Sequence, residues 1–132
     1  MAKPSDPVQI VRHVLVVEDD HELADLLCEV LTFENCTVDL ASNGMEGLEK
    51  LRTADYEAII CDLMMPRMDG ETLYNQTVKQ FPYLADRFLF VTSQAASRSG
   101  FTNFVSRTGN RLLEKPFEVE HLRAAIKELF QR

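Results

Sequence analysis

Short, continuous apolar runs, each halted by polar residues, recur along the chain. Val14-Leu15-Val16-Val17 stops at Glu18-Asp19-Asp20, and Ala58-Ile59-Ile60-Cys61 stops at Asp62. Phe88-Leu89-Phe90-Val91 stops at Thr92, and Leu112-Leu113-Glu114 at Lys115. Runs of this length suit strands buried on both faces, as in a parallel sheet covered by helices. Between the runs the period changes. Leu23, Leu26, Leu27, Val30 and Leu31 recur at helical spacing and make one apolar stripe. The pattern predicts strands at about 13–17, about 36–40, up to Asp62, about 87–91 and up to Lys115-Pro116. The second alternates more than the others and belongs nearer a sheet edge.

Helix signals fill the gaps. Asp20 is placed to cap a helix over about 21–33, with Glu22 in its first turn. Ser42 or Asn43 can cap a second helix ending near 53, and Asp69 caps a third running to about 80, where Pro82 stops it. Phe101, Phe104 and Val105 mark a short helix ended near Thr108-Gly109. A closing helix over about 118–130 carries Val119, Leu122, Ile126, Leu129 and Phe130 on one face. Ser93 to Gly100, small and polar, predicts a mobile segment. Five strands alternating with five helices make a doubly wound α/β domain with a five-stranded parallel sheet. Residues 1–12 read as a tail and 13–131 as the domain. In such a sheet the strand ends meet at one edge, where open α/β sheets place their ligand sites.

Composition narrows the function classes. The length of 132 residues fits one domain with a real core, and the net charge of −7 argues against nucleic acid or anionic membrane as partner. No apolar run is long enough to span a bilayer, and the N-terminus lacks a signal-peptide core. Cys28, Cys36 and Cys61, an odd number inside apolar segments, read as reduced, small buried hydrophobes of a cytoplasmic protein. Strand alternation points Cys61 to the face opposite Asp62. His13, His21 and His121 share no face and read as structural or exposed rather than as ligands.

The residues expected at the sheet edge carry the chemistry. Neighbouring carboxylates on two strand ends are costly unless a cation neutralises them, and all-oxygen donors suit Mg²⁺. A lysine and a hydroxyl facing the same point add donors for a phosphoryl group. Asp62, which has no helix to cap, is the candidate nucleophile.

Four segments in order carry a family resemblance: Val16-Val17-Glu18-Asp19-Asp20, Asp62 to Gly70, Val91-Thr92 and Lys115-Pro116-Phe117. With them the chain resembles a two-component response-regulator receiver domain, the phosphoacceptor module with a flavodoxin-like fold. The resemblance implies that Asp62 is phosphorylated by a sensor histidine kinase or histidine phosphotransfer protein. It implies that Asp19 and Asp62 bind Mg²⁺, with Glu18 acting through water and Met64 lending its backbone carbonyl. Thr92 would bond a phosphoryl oxygen and Lys115 another, across a Lys115–Pro116 peptide often cis in the family. Catalysis would be limited to the domain's own phosphorylation and dephosphorylation, and phosphorylation would switch binding of a downstream protein. Met64 and Gln94 would set the phosphorylated lifetime. The closing helix implies a monomer or weak dimer.

Leu112 departs from the pattern, because receivers commonly carry an aromatic residue three positions before the lysine. Thr108 to Phe117 looks more like receivers attached to hybrid sensor kinases. With no room for an output domain, the chain reads as a stand-alone regulator or a receiver cut from a longer protein. Two other functions stand beside this one. A receiver-like interaction module independent of phosphorylation is suggested by Leu112. An aspartyl phosphatase would want an aspartate two residues after its nucleophile, where this chain has Met64.

Overall fold

The computed structural model describes residues 10–93 and 101–132. Most of the expected tail, the Ser93–Gly100 segment from Gln94 onward, and Gln94 itself lie outside the described residues. The strands are β1 (Arg12–Val17), β2 (Cys36–Ala41), β3 (Ala58–Asp62), β4 (Phe88–Ser93) and β5 (Arg111–Lys115). The α-helices are α1 (His21–Phe33), α2 (Gly44–Thr53), α3 (Gly70–Gln80), α4 (Thr102–Thr108) and α5 (Val119–Phe130). All neighbouring strands pair in parallel, in the order β2-β1-β3-β4-β5. The alternating β2 is thus an edge strand, as its pattern predicts.

Strand alternation divides the interior into two layers. Val14 and Val16 face a cluster with Leu27, Leu31, Leu122 and Ile126, contributed by α1 and α5. Leu15 and Val17 face the other side, with Leu48, Leu51 and Leu73 from α2 and α3. Each fully buried side chain of this size contributes about 1.5–3 kcal/mol. Four rings consolidate the second layer: Tyr74 meets Phe88 edge-on at 5.0 Å and Phe104 at 5.5 Å, while Phe88 stacks on Phe90 at 5.4 Å.

Caps form largely where the residue types predict them. Asp20 accepts from Glu22 N at 3.0 Å and Asp69 from Thr72 N at 2.8 Å. Of the two candidates for α2, Asn43 takes the cap, accepting from Glu46 N at 2.9 Å. Ser42 instead donates its hydroxyl to Glu46 Oε2 at 2.8 Å, one residue before the cap. After α3, Pro82–Leu84 forms a single 3-10 turn. Two expectations need correction. Val119 is exposed in the first turn of α5, where it lines a surface groove with Val30, Phe33 and Arg123, and Cys28 is only half-buried because it sits at the border of the α1 stripe. His13 bridges elements, lying 3.0 Å from Asp55 O and 2.9 Å from Asp39 Oδ2. No described helix is long and apolar enough to cross a membrane.

Candidate functional site

The polar stops converge at the carboxyl end of the sheet. β1 and β3 are adjacent, with Val17 paired to Cys61, so the residues that follow emerge side by side. Glu18 N bonds Ala41 O at 3.0 Å, which carries the ladder one residue past β1 and turns the Glu18 side chain inward. Glu18 and Asp62 are buried, while Asp19 is exposed at the mouth. One ligand oxygen from each of the three lies within 4.8 Å of the others. Lys115 Nζ reaches over from β5 to within 3.7 Å of Glu18 Oε1 and 3.9 Å of Asp62 Oδ2. Thr92 is fully buried, one residue past the Asp62–Val91 pair.

The backbone holds these groups in place. Met64 N donates to Asp62 Oδ1 at 3.1 Å and Asp20 N to Glu18 Oε2 at 3.2 Å. Gly70, at the start of α3, sits so close that a Cβ there would fall 2.6 Å from Asp62 O. Only glycine allows that approach. The Lys115–Pro116 peptide is cis. Asp19, Met64, Met65, Pro66, Asp69 and Phe101 line an open cleft of about 410 Å³ beside the carboxylates.

The electrostatics match a cation site. Burial, then the hydrogen bond and charge of Asp62, push the Glu18 carboxyl well above the usual carboxylate range, against the pull of Asp20 N–H and Lys115. Among the described residues, Glu18 Oε1 and Thr92 Oγ1 are the buried side-chain oxygens without a hydrogen-bond partner. Such orphaned oxygens cost free energy unless a ligand meets them. One points from the acidic cluster and the other ends a neighbouring strand. Three carboxylates with no sulfur or imidazole among them are hard donors, the set that suits Mg²⁺. The residues present therefore fit a magnesium ion.

Of the residues singled out from the sequence, Glu18, Asp19, Asp62 and Lys115 come together directly. Thr92 lies at the end of a strand adjoining β3. Met64 is exposed and lines the cleft. Leu112 is half-buried against the layer that holds Phe90 and Phe104. His13 is bonded to Asp39 and Asp55, and His21 and His121 are exposed. Cys61, fully buried, donates its thiol to Asp62 O at 3.2 Å, and burial raises its thiol well above the usual value, so it packs rather than reacts. Asp69 and Phe101 were legible only as a helix cap and as one mark of a short helix. Asp69 comes from the β3–α3 loop and Phe101 from the start of α4, and local pattern carries no signal for their meeting at one cleft.

Comparison with known proteins agrees with this geometry. The response regulator MprA of Mycobacterium ulcerans is 33% identical over 90% of this chain and 50% of its own length. The chain spans about half the length of the curated relatives it matches. A CheY-like receiver domain protein from Methanospirillum hungatei superposes with a TM-score of 0.81 at 27% identity, covering 92% of this chain and 96% of that one. The response regulator TrrA from Thermotoga maritima, solved in complex with Mg(2+)-BeF, superposes at 0.78 with 26% identity, covering 89% and 98%. The family model described as "Response regulator receiver domain" matches residues 14–127, nearly the whole folded unit. Sheet order, strand-end chemistry and sequence thus lead to one assignment: this chain belongs to the response regulator receiver domain family.

Proposed function

We propose that the domain accepts a phosphoryl group on Asp62 from a phosphohistidine, in a Mg²⁺-dependent reaction, and that the phosphorylated form changes the binding of a downstream protein. The observation that carries this reading is the buried Glu18–Asp62 pair, with Asp19 alongside and Lys115 within 4 Å of both. The donor is a sensor histidine kinase or a histidine phosphotransfer protein. Residues 13–131 form the working unit and 1–12 a tail. The unit acts in the cytoplasm as a monomer or weak dimer, and it catalyses only its own phosphorylation and dephosphorylation.

Asp62 is held by the Met64 N–H with one oxygen engaged, leaving Oδ2 toward Lys115. An Asp62 oxygen forms the new P–O bond as the donor's P–N bond breaks, and the bonding pair leaves on the imidazole nitrogen. Lys115 receives charge that develops on a phosphoryl oxygen, and the Thr92 hydroxyl donates to another. Asp19, Asp62 and the Met64 carbonyl would hold the ion, with Glu18 acting through water. When bound, Mg²⁺ neutralises the carboxylates and the transferring oxygens. That the similar response regulator TrrA was solved in complex with Mg(2+)-BeF supports a magnesium ion as part of this reading.

Incubation with acetyl phosphate and Mg²⁺ tests the reading. One phosphoryl mass should appear on the intact chain, vanish in Asp62→Asn, and vanish with EDTA. No mass gain at saturating donor sinks it.

A further inference from the structure

The β3–α3 loop, from Leu63 to Asp69, is tied at its ends and seated at its tip. Gly70 N donates to Leu63 O at 3.0 Å, closing the ends into a ring. At the tip Met68 N donates back to Pro66 O at 2.8 Å, across Arg67, whose φ of 69° lies in the left-handed region. A non-glycine residue there is strained, and such strain persists only when the surroundings over-determine it. The surroundings in question are the first turn of α2. A Cβ on Gly44 would stand 2.4 Å from Met68 O, 2.8 Å from Met68 Cβ and 2.9 Å from Met68 Cγ. The nearest of these is backbone, so rotation of a side chain cannot relieve the overlap.

Nor can the helix withdraw toward the sheet. On the same helix Gly47 is buried against Val17, and Leu48 and Leu51 are buried in the second layer. Any added volume at residue 44 therefore displaces the loop. At the loop's other end Met64 N holds Asp62 Oδ1 at 3.1 Å. We propose that Gly44, on an element that contributes nothing to the acidic pocket, is a positioning residue that sets the pose of the phosphoacceptor through Met68. This rests on the phosphoacceptor reading above.

Two glycine substitutions on one helix separate positioning from stability. Gly44→Ala puts its methyl into Met68 backbone. For Gly47→Ala the three nearest atoms are side-chain carbons, two of Val17 at 3.1 and 3.3 Å and one of Leu73 at 3.4 Å, which can give by a few tenths of an ångström. Both proteins would be phosphorylated with acetyl phosphate at saturating Mg²⁺, well below their melting temperatures. Hydrogen exchange would be followed in parallel across residues 63–70. Displacement of a reacting group by a fraction of an ångström to an ångström predicts a rate loss on the order of tenfold or more for Gly44→Ala. Faster exchange confined to the loop should accompany it, with a near wild-type rate and exchange in Gly47→Ala. Equal rates in all three proteins overturn the inference while leaving the phosphoacceptor reading intact. An unlabelled wild type overturns that reading instead.

Should Gly44→Ala fail to fold, Arg67→Gly added to it gives the loop freedom to retreat. A refolded double variant with a slow rate supports the inference. One with a wild-type rate, or one that still does not fold, overturns it.

Discussion

Lys115 Nζ stands 3.9 Å from Asp62 Oδ2, an ion pair just beyond hydrogen-bond reach. The amine therefore biases the carboxylate without fastening it and remains able to meet a further oxygen. Lys115→Ala should slow phosphorylation by acetyl phosphate on the order of 10²-fold, the usual effect of deleting a charge-stabilising donor. It should also tighten Mg²⁺ in calorimetry, since a competing cation is gone. A wild-type phosphorylation rate in the variant would refute the role given to the lysine.

Among the described residues, Glu18 is the carboxyl most disfavoured as an anion, chiefly by burial and then by Asp62. Its folded value lies above its unfolded one, so folding favours the protonated form. That stabilising contribution is complete at low pH and is lost as pH rises through neutral toward the raised value. In EDTA, the thermal midpoint of the wild type should fall over this range. Glu18→Gln should flatten the fall and stabilise the metal-free protein by roughly 1 kcal/mol at neutral pH. The same variant should gain less from added Mg²⁺. Parallel melting curves of the two proteins across pH would contradict this account.

At the opposite end of the sheet, Tyr56 donates its hydroxyl to Asp39 Oδ2 at 2.7 Å, and His13 Nε2 approaches the same oxygen at 2.9 Å. Tyr56, then the charge of His13 against a small burial penalty, hold the Asp39 carboxyl below its ordinary value. The sign is opposite to that of Glu18. This stabilisation is present above the unfolded carboxylate value and disappears as pH falls through the lower folded one. Tyr56→Phe should cost about 1 kcal/mol at pH 7 and less in acid, read from urea midpoints at the two pH values. A cost that is unchanged or larger in acid would be the wrong result.

Met64 lines the cleft beside Asp19 and exposes an apolar side chain there. It offers nothing to orient a water attacking a phosphorylated Asp62. Met64→Asn adds one hydrogen-bonding group, worth about 1 kcal/mol and hence a factor of about five in rate. Loss of the phosphoryl group, followed by intact mass after donor removal, should be faster in Met64→Asn than in the wild type. Slower loss would count against it.

The ends of β1, β3 and β4 were legible because burial on both faces leaves continuous apolar runs, whereas β5 is an edge strand with Arg111 and Glu114 exposed and only Leu113 buried, so the expectation of burial on both faces fails there. Position along the sheet edge then follows from parallel pairing. What stayed hidden depends on contacts between loops. Ser42 and Asn43 are equally good cap formers by residue type, and only the entry angle of α2 selects Asn43. Phe101 reads as a mark of a short helix, yet it also walls the cleft. Gly44 carries no local signal, since the Met68 backbone that it accommodates lies more than twenty residues away. Leu112 was visible as a departure, and its half-buried seat beside the Phe90–Phe104 layer is a matter of packing that spacing does not encode.

The parallel register has one more consequence. Asp62 pairs with Val91, and its neighbour Cys61 with Val17 and Phe90. A slip of one residue in either pairing would exchange the two faces of β3, sending the carboxylate into hydrocarbon and the thiol toward the cations. A chain that can be phosphorylated is therefore one whose central strands have found their correct partners. Acetyl phosphate labelling thus doubles as an assay of folding fidelity, able to separate correctly threaded molecules from compact impostors that circular dichroism would count as native.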